Sequence, residues 1–192
     1  MSSILNSKSK RRQELIKTRQ QMSRFLFDKE SVDSSKLIIE HCSNNSYQAV
    51  LSYAAKEDEL NLQHAHDFFW SKKIPLFFPK VVPGESLSWG KVDSSRDLVK
   101  GHFDVDEPVG ELCRIEELSG SLLVLVPGLG FTKEGLRIGW GKGYYDKSLS
   151  LIVSKNDTTL GVGFSCQLCD SLPVEGHDVS LDKLIIAGEF VL

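Results

Sequence analysis

The chain has 192 residues, of which 41% are hydrophobic and 26% are charged, and its formal net charge is −3. This length and composition predict one globular domain, residues 1–192, with a full hydrophobic core. The slightly negative charge gives no reason to expect nucleic acid as a partner. No apolar run approaches the length of a membrane span, and no apolar segment follows the basic run Lys10-Arg11-Arg12 as it would in a secretory signal. We therefore expect a cytoplasmic protein without a membrane partner.

The N-terminal segment predicts a helix over residues 8–28, because it contains neither glycine nor proline. Steps of three and four residues place six side chains on one stripe of this helix: Lys8, Arg12, Leu15, Arg19, Met22 and Leu26. Three cations thus lie on the face expected to enter the core. Long cationic side chains can extend along such a face to water. Alternatively, the helix presents Lys8 and Arg12 to an anion, and the spacing leaves both interpretations open.

The rest of the chain alternates between strand and helix patterns. Helices are predicted over 35–43, 58–72 and 143–153, and strands over 48–53, 75–79, 87–89, 122–126, 159–164 and 184–191, the last as one strand or a pair. Residues 93–110 predict a short helix and a loop that ends at Glu107-Pro108. The continuously apolar residues 122–126 are typical of a central parallel strand covered on both faces. This alternation predicts an α/β fold, a three-layer sandwich with a largely parallel central sheet.

The densest chemistry lies in residues 137–146, Arg-Ile-Gly-Trp-Gly-Lys-Gly-Tyr-Tyr-Asp. Glycines let the backbone adopt positive φ and approach a ligand closely, so that successive N–H groups can converge on an anion. Lys142 and Arg137 add positive charge, and Asp146 can hold a metal ion that bridges phosphates. The spacing fits neither a Walker A loop nor a dinucleotide fingerprint. A tight turn with ordinary surface charges is the alternative, but it does not explain three alternate glycines. The segment predicts a nucleotide or polyphosphate site.

Ligands of such folds bind beyond the carboxyl ends of the strands. The glycine segment follows the central strand through Pro127-Gly128, and the loop after the strand at 159–164 is expected to reach the same edge. That loop carries Gln167, Pro173, His177 and Asp178. Asp178 and Asp146 are therefore predicted to meet across a shared metal ion.

Several other residues could carry chemistry but are assigned structural roles. The four cysteines, including the C-x-x-C at Cys166 and Cys169, are interpreted as reduced thiols, because no second ligand pair completes a zinc site. Trp89 is expected in the core, and His177 is expected to be structural. His64 and His66 are predicted on a helix surface.

Taken together, these residues resemble the 5-formyltetrahydrofolate cyclo-ligase family over most of the chain. The strongest similarity runs from Val126 to Phe131 and from Arg137 to Asp146, which resembles the family signature P-G-x-x-F followed by R-x-G-x-G-x-G-Y-Y-D. Glu107-Pro108, the spacing from Tyr53 to Glu59, and the Gln167, Pro173, His177 and Asp178 pattern fit as well. Asn61 and Leu62 depart from the Asp and Thr that the family often has there. Lys8 and Arg12 occupy the family's ATP-binding K-x-x-x-R positions, so the resemblance favours the anion-binding interpretation of the N-terminal helix.

The resemblance implies an ATP- and Mg²⁺-dependent ligase of one-carbon metabolism that converts 5-formyltetrahydrofolate to 5,10-methenyltetrahydrofolate, releasing ADP and phosphate. It implies that ATP contacts Lys8, Arg12, Arg137, Ile138, Gly139, Trp140, Gly141, Lys142, Gly143, Tyr144 and Tyr145. It implies that folate contacts Ala54, Glu59, Trp140, Gly141, Lys142, Gly143 and Tyr144. Lys142 and Arg137 would act in catalysis, and Asp146 and Asp178 would hold Mg²⁺. The expected partner is a small folate, with or without a polyglutamate chain, and the expected state is a monomer.

Two other functions remain open at the level of the sequence. One is a non-catalytic protein that keeps the nucleotide and folate pocket as a sensor or store. Retention of Asp146, Asp178 and Lys142 argues against it, because a binder can lose its metal ligands. The other is an enzyme acting on sugar phosphates or CoA esters, since related three-layer folds host those activities.

Overall fold

The computed structural model describes residues 2–82, 86–152, 156–173, 175–176 and 178–192, with side chains from Ser7 onward. The helices are α1 (Ser2–Gln20), α2 (Arg24–Asn44), α3 (Gln63–Ser71) and α4 (Tyr144–Leu149). The strands are β1 (Ala49–Leu51), β2 (Leu76–Lys80), β3 (Ser88–Lys91), β4 (Leu98–Lys100), β5 (Asp106–Pro108), β6 (Leu112–Cys113), β7 (Leu122–Val126), β8 (Gly130–Phe131), β9 (Arg137–Ile138), β10 (Thr158–Gly163), β11 (Lys183–Ile186) and β12 (Glu189–Phe190).

Within the described ranges, eight strands form the central sheet in the order β12-β11-β10-β7-β1-β2-β3-β6. The five inner strands from β11 to β2 pair in parallel, and the strands outside them are antiparallel. From β1 the chain moves to β2 on one side and later to β7 and β10 on the other. The strand order therefore reverses between β1 and β7, which is where parallel sheets of this kind bind ligands.

Strand β7 shows why the sheet is covered on both faces. Its Leu123 and Leu125 pack with Ile38 of α2 and Phe69 of α3. Its other three residues, Leu122, Val124 and Val126, pack on the opposite face with Leu149 of α4 and with Trp89. All five are buried, and full burial of such a side chain contributes about 1.5–3 kcal/mol. The prediction of an α/β fold with helices flanking a largely parallel sheet is confirmed.

Helix α1 does not cover either face of the sheet and lies against the loops at the carboxyl edge of its parallel strands. Its Leu15 packs with Leu129, Ile138 and Cys169. The small β8–β9 hairpin and the segment after β10 are thereby held under the helix. This packing places the cationic stripe of α1 beside the glycine segment.

Several predicted element bounds differ from the structure, and the helices predicted over 35–43 and 143–153 span Arg24–Asn44 and Tyr144–Leu149. The helix predicted over 8–28 is interrupted at residues 21–23, because Ser23 adopts extended backbone angles and its hydroxyl accepts a hydrogen bond from Leu26 N at 3.3 Å, as an N-cap. Leu26 consequently leaves the stripe and is 41% exposed. Helix α3 begins at Gln63 instead of residue 58, and residues 93–110 contain the β4–β5 hairpin.

Within the part of the chain that the structure describes, no helix combines the length and apolar character needed to span a membrane.

Candidate active site

A cavity of about 320 Å³ opens at the carboxyl edge of the sheet, beside the reversal between β1 and β7. Three separate segments supply its polar groups. Their lining residues are Tyr53, Ala54, Lys56 and Glu59 after β1, His102, Phe103, Val105 and Glu107 around the β4–β5 turn, and Pro127 with Arg137 and Gly139 to Asp146 after β7. Pro79, Val81 and Leu87 form an apolar side. The cavity thus brings the predicted folate residues and the glycine segment together.

Glu59 is a buried carboxylate in this cavity, only 7% exposed. Its Oε2 accepts a hydrogen bond from the backbone N of Lys56 at 3.1 Å, and its Oε1 accepts one from the indole Nε1 of Trp140 at 2.9 Å. A second hydrogen bond holds the loop that carries Glu59, since the buried Tyr53 hydroxyl donates to the Leu60 carbonyl at 2.9 Å. Glu59 is therefore part of the cavity wall and not a solvated acid at a helix end.

The glycine segment adopts the backbone that its sequence predicts at two of its three alternate glycines. Gly141 and Gly143 have φ of +90° and +70°, where other residues are strained. Arg12 of α1 donates from Nε to the Gly139 carbonyl at 2.9 Å. A Cβ on Gly141 would lie 2.8 Å from the Arg12 Cζ, so this approach also requires glycine.

Arg137 is a buried cation at the start of this segment. Its Nη1 donates to Asp146 Oδ1 at 2.8 Å, whereas its Nε and Nη2 have no hydrogen-bond partner among the described residues. Burial lowers the pKa of Arg137, and the nearby charges of Asp146 and Asp178, which raise it, offset this lowering only in part. Buried donors of this kind normally have partners, so two open donors beside a cavity are suited to an incoming anion.

The side chains of Lys8 and Arg19 are buried, and their charges are paired with carboxylates. Lys8 Nζ lies 2.7 Å from Glu175 Oε2 and 2.8 Å from Asp178 Oδ2, and Arg19 Nη2 lies 2.6 Å from Asp58 Oδ2. Burial lowers the pKa of Lys8, but the hydrogen bonds from Asp178 and Glu175 outweigh it, and the pKa is raised. Both side chains are buried, so the interpretation in which they extend to solvent is wrong for these two residues.

The two predicted metal ligands each contact a cation in the structure. Asp146 pairs with Arg137 and Asp178 with Lys8, and both carboxylates act electrostatically on Arg137. Among the described residues, no three His, Cys, Asp or Glu side chains form a group that could hold a metal ion. Assignment of Mg²⁺ to Asp146 and Asp178 stays a prediction.

Other predicted residues of the glycine segment differ in accessibility. Lys142 is exposed and lines the cavity, Ile138 is buried under α1, and Tyr144 lines the cavity. The Tyr145 hydroxyl is buried without a hydrogen-bond partner in the described structure, and burial raises its pKa well above the usual range.

The assignment of Trp89 to the core is confirmed, and the predicted surface position of one histidine is wrong. Trp89 is fully buried, and the four cysteines are free thiols. His66 is not on the surface: it is buried, its Nε2 lies 2.8 Å from Ser52 Oγ, and burial lowers its pKa to about 4. His177 lies outside the described residues.

Sequence reasoning missed two features of the site. The first is the Arg19–Asp58 ion pair, whose signal was the third cation on the α1 stripe. The second is the β4–β5 turn, which presents Phe103 at the cavity with φ of +59°. Its anchor is Glu107, which is buried and accepts a hydrogen bond from His102 N at 3.2 Å. Nothing in the local sequence signals positive φ at a phenylalanine.

The structure is an α/β fold with a cavity at the carboxyl edge of its parallel strands, and comparison with known proteins specifies its family. The sequence model of the 5-formyltetrahydrofolate cyclo-ligase family matches residues 4–187. The chain belongs to this family, as its motifs predicted.

Similar proteins cover most of the chain. It is 28% identical to a mouse protein named 5-formyltetrahydrofolate cyclo-ligase, over 82% of each chain. It is 25% identical to the Escherichia coli K12 protein of that name, over 71% of this chain and 76% of the other. The solved structure of Aquifex aeolicus 5,10-methenyltetrahydrofolate synthetase aligns with a TM-score of 0.80 at 28% identity, covering 95% of this chain and 91% of that one. A Mycoplasma pneumoniae 5,10-methenyltetrahydrofolate synthetase shares the fold, with a TM-score of 0.75 at 20% identity and 95% and 99% coverage.

Proposed function

We propose that this chain catalyses the ATP-dependent cyclisation of 5-formyltetrahydrofolate to 5,10-methenyltetrahydrofolate, with release of ADP and phosphate. Membership of the cyclo-ligase family supports the reaction type. The observation that carries the proposal is the meeting of Glu59 and the glycine segment in one cavity, although about 80 residues separate them in the chain.

Glu59 supplies the polar recognition on the folate side. Its Oε1 already accepts an N–H from a heteroaromatic ring, that of Trp140, at 2.9 Å. A pterin carries ring and amino N–H groups of the same kind, so the carboxylate is suited to accept them. Ala54 and the faces of Trp140 and Tyr144 provide apolar contact for the flat parts of the substrate.

The glycine segment supplies the nucleotide side. Its positive-φ glycines let the backbone approach a ligand closely, and Arg137 keeps two donor nitrogens, Nε and Nη2, without partners in the described residues. Arg12 holds the segment at Gly139, and Lys8 holds the facing loop through Asp178. Arg12 and Lys142 have no ion-pair partner among the described residues, so they add positive charge at the glycine segment in a chain whose net charge is −3.

The carboxylates fit Mg²⁺ by donor chemistry, because Mg²⁺ prefers oxygen ligands and is usually shared between one or two carboxylates and substrate phosphates. Asp146 lines the cavity, and one of its oxygens is engaged by Arg137. Asp146 and Asp178 would hold the ion, which would neutralise phosphate charge.

The reaction needs an activated formyl oxygen. Attack of that oxygen on the γ-phosphorus forms a new O–P bond and breaks the bond from the γ-phosphorus to the β–γ bridging oxygen, which leaves on ADP with the electron pair. The neighbouring N10 amine then adds to the formyl carbon and loses its proton, and phosphate leaves with the C–O electrons. Lys142 and Arg137 contribute by offsetting charge that spreads over the transferred group. This sequence requires no Ser or Cys nucleophile from the protein.

The test is formation of the methenyl product, followed by absorbance, from purified protein with 5-formyltetrahydrofolate and MgATP. Reactions that omit ATP, Mg²⁺ or protein are the controls. We expect product only in the complete mixture. Tight binding of both ligands without product would instead identify a non-catalytic binder. We further propose that the protein acts as a cytoplasmic monomer on folates with or without a polyglutamate chain.

A further inference from the structure

Arg19 is the third cation of the α1 stripe, and none of the roles described above includes it. It is 3% exposed, and its Nε and Nη2 both donate to Asp58 Oδ2, at 3.2 and 2.6 Å. Arginine is rarely buried to this extent unless its charge is paired. The buried position of Arg19 therefore depends on its pairing with Asp58, which a solvent-facing helix position would not need.

The guanidinium of Arg19 contacts the Trp140 ring and the residue next to Glu59, and Trp140 and Glu59 are joined by a hydrogen bond. Its Cζ lies 5.4 Å from the centroid of the Trp140 ring, within the range of a cation–π interaction. Its ion-pair partner Asp58 directly precedes Glu59 in the chain. Trp140 donates its indole N–H to Glu59 at 2.9 Å.

Trp140 needs such support because it is 42% exposed and follows directly on Gly139, in a segment rich in glycine. Lys56 provides a second cation, with Nζ 4.4 Å from the ring centroid. Lys56 is itself part of the loop that Asp58 and Glu59 belong to. Arg19 thus joins helix α1, the Glu59 loop and the glycine segment at one point.

We infer that Arg19 is a positioning residue for folate. Through its ion pair with Asp58 and its contact with the Trp140 ring, it holds the Glu59 carboxylate and the Trp140 side chain where they contact the substrate. This inference rests on the proposed cyclo-ligase function. Arg19 touches neither the reacting atoms nor, in the structure, the cavity surface, so its effect is on substrate placement.

The test compares Arg19→Met and Asp58→Asn with a matched control, Arg24→Met. Arg24 also combines an ion pair, with Asp28 at 3.0 Å, and a cation–π contact, with Phe27 at 4.7 Å, but neither of these partners lines the cavity, whereas Trp140 does. We expect Arg19→Met to raise the KM for 5-formyltetrahydrofolate about tenfold, equivalent to about 1.4 kcal/mol. The kcat and the KM for ATP should stay within about twofold, because positioning acts on binding more than on the chemical step.

A second readout does not depend on catalysis. The difference between the emission spectra of each protein and its Trp140→Phe counterpart isolates Trp140 from Trp70 and Trp89. In ligand-free Arg19→Met, Trp140 should become more accessible to a neutral quencher and emit at longer wavelength, with no such change in Arg24→Met. Arg19→Lys should restore these properties in part, because it keeps the charge but not the planar fork.

Equal increases in both KM values, or an unchanged folate KM with unchanged Trp140 emission, would overturn the inference. If Arg19→Met does not fold, Asp58→Asn decides, since it keeps Arg19 and nearly the same shape: a wild-type folate KM in that variant also contradicts it. A wild-type protein that forms no methenyl product would refute the proposed function, whereas an active wild type with insensitive variants refutes only the role of Arg19.

Discussion

Replacing Asp146 by Ala should destabilise the protein as well as inactivate it, because Asp146 is the anionic partner of a buried arginine. Only 3% of the Arg137 side chain is exposed, and the ion pair measures 2.8 Å. Removing one partner of a buried pair costs about 3–5 kcal/mol. The Asp146 side chain is 23% exposed, so water can enter in its place, and we expect a loss of about 3 kcal/mol.

This free energy should be visible as a lower unfolding temperature. In a domain of this size, 1 kcal/mol shifts the Tm by about 2–4 °C, so Asp146→Ala should unfold about 6–12 °C below the wild type. Asp146→Asn keeps an oxygen acceptor for Arg137 and should lose much less. Both variants should lose Mg²⁺-dependent turnover if Asp146 holds the metal ion.

Scanning calorimetry of the single variants and of Arg137→Met/Asp146→Ala provides the assay. The double variant removes both charges and should be more stable than Asp146→Ala alone, because no unpaired cation remains. An Asp146→Ala protein that unfolds within about 2 °C of the wild type would refute the reasoning on the buried pair. A folded Asp146 variant with full Mg²⁺-dependent activity would separately remove the metal assignment.

Three further predictions concern the nucleotide side and the core. Arg12→Ala should weaken ATP binding by about 1.5–3 kcal/mol and folate binding by less. Calorimetry with each ligand measures this, with Arg11→Ala as the control, since the exposed partner of Arg11 is Glu14. Equal losses of affinity for both ligands would argue against an ATP-binding role of Arg12. Lys142→Met should slow single-turnover product formation about 10²–10³-fold at saturating MgATP, and a wild-type rate there would make Lys142 a binding residue alone. Burial lowers the pKa of His66 from 6.5 to about 4, so its contribution to stability is present above pH 6.5 and is lost as the pH falls toward 4, by up to about 1.4 kcal/mol per pH unit. The free energy of unfolding, measured with denaturant between about pH 5 and 6.5, where carboxylates interfere least, should change less steeply with pH in His66→Gln than in the wild type. An identical pH dependence in the two proteins would contradict a neutral buried His66.

The fold could be predicted because its signals are periodic and local. Five consecutive apolar residues in β7 predict a strand covered on both faces, and the structure packs them alternately against α2 and α3 or against α4. The interruption at Ser23 was not predicted, because a single N-cap serine within a continuous run of helix-forming residues is a weak signal.

The site was predictable where the chain itself keeps residues together. The glycine segment contributes ten consecutive positions, and its positive φ values at Gly141 and Gly143 follow from residue type. Pairings across the chain could not be predicted in this way. The partners of Lys8 and Arg19 lie 170 and 39 residues away, and the buried His66 has its hydrogen-bond partner, Ser52, directly after β1.

The most direct test of the cyclo-ligase assignment measures phosphate and methenyl product in the same reaction of purified protein with 5-formyltetrahydrofolate and MgATP. The account predicts that one phosphate appears for each methenyl product, with neither formed when ATP is omitted. Phosphate release without methenyl product, or methenyl product without ATP, would contradict it.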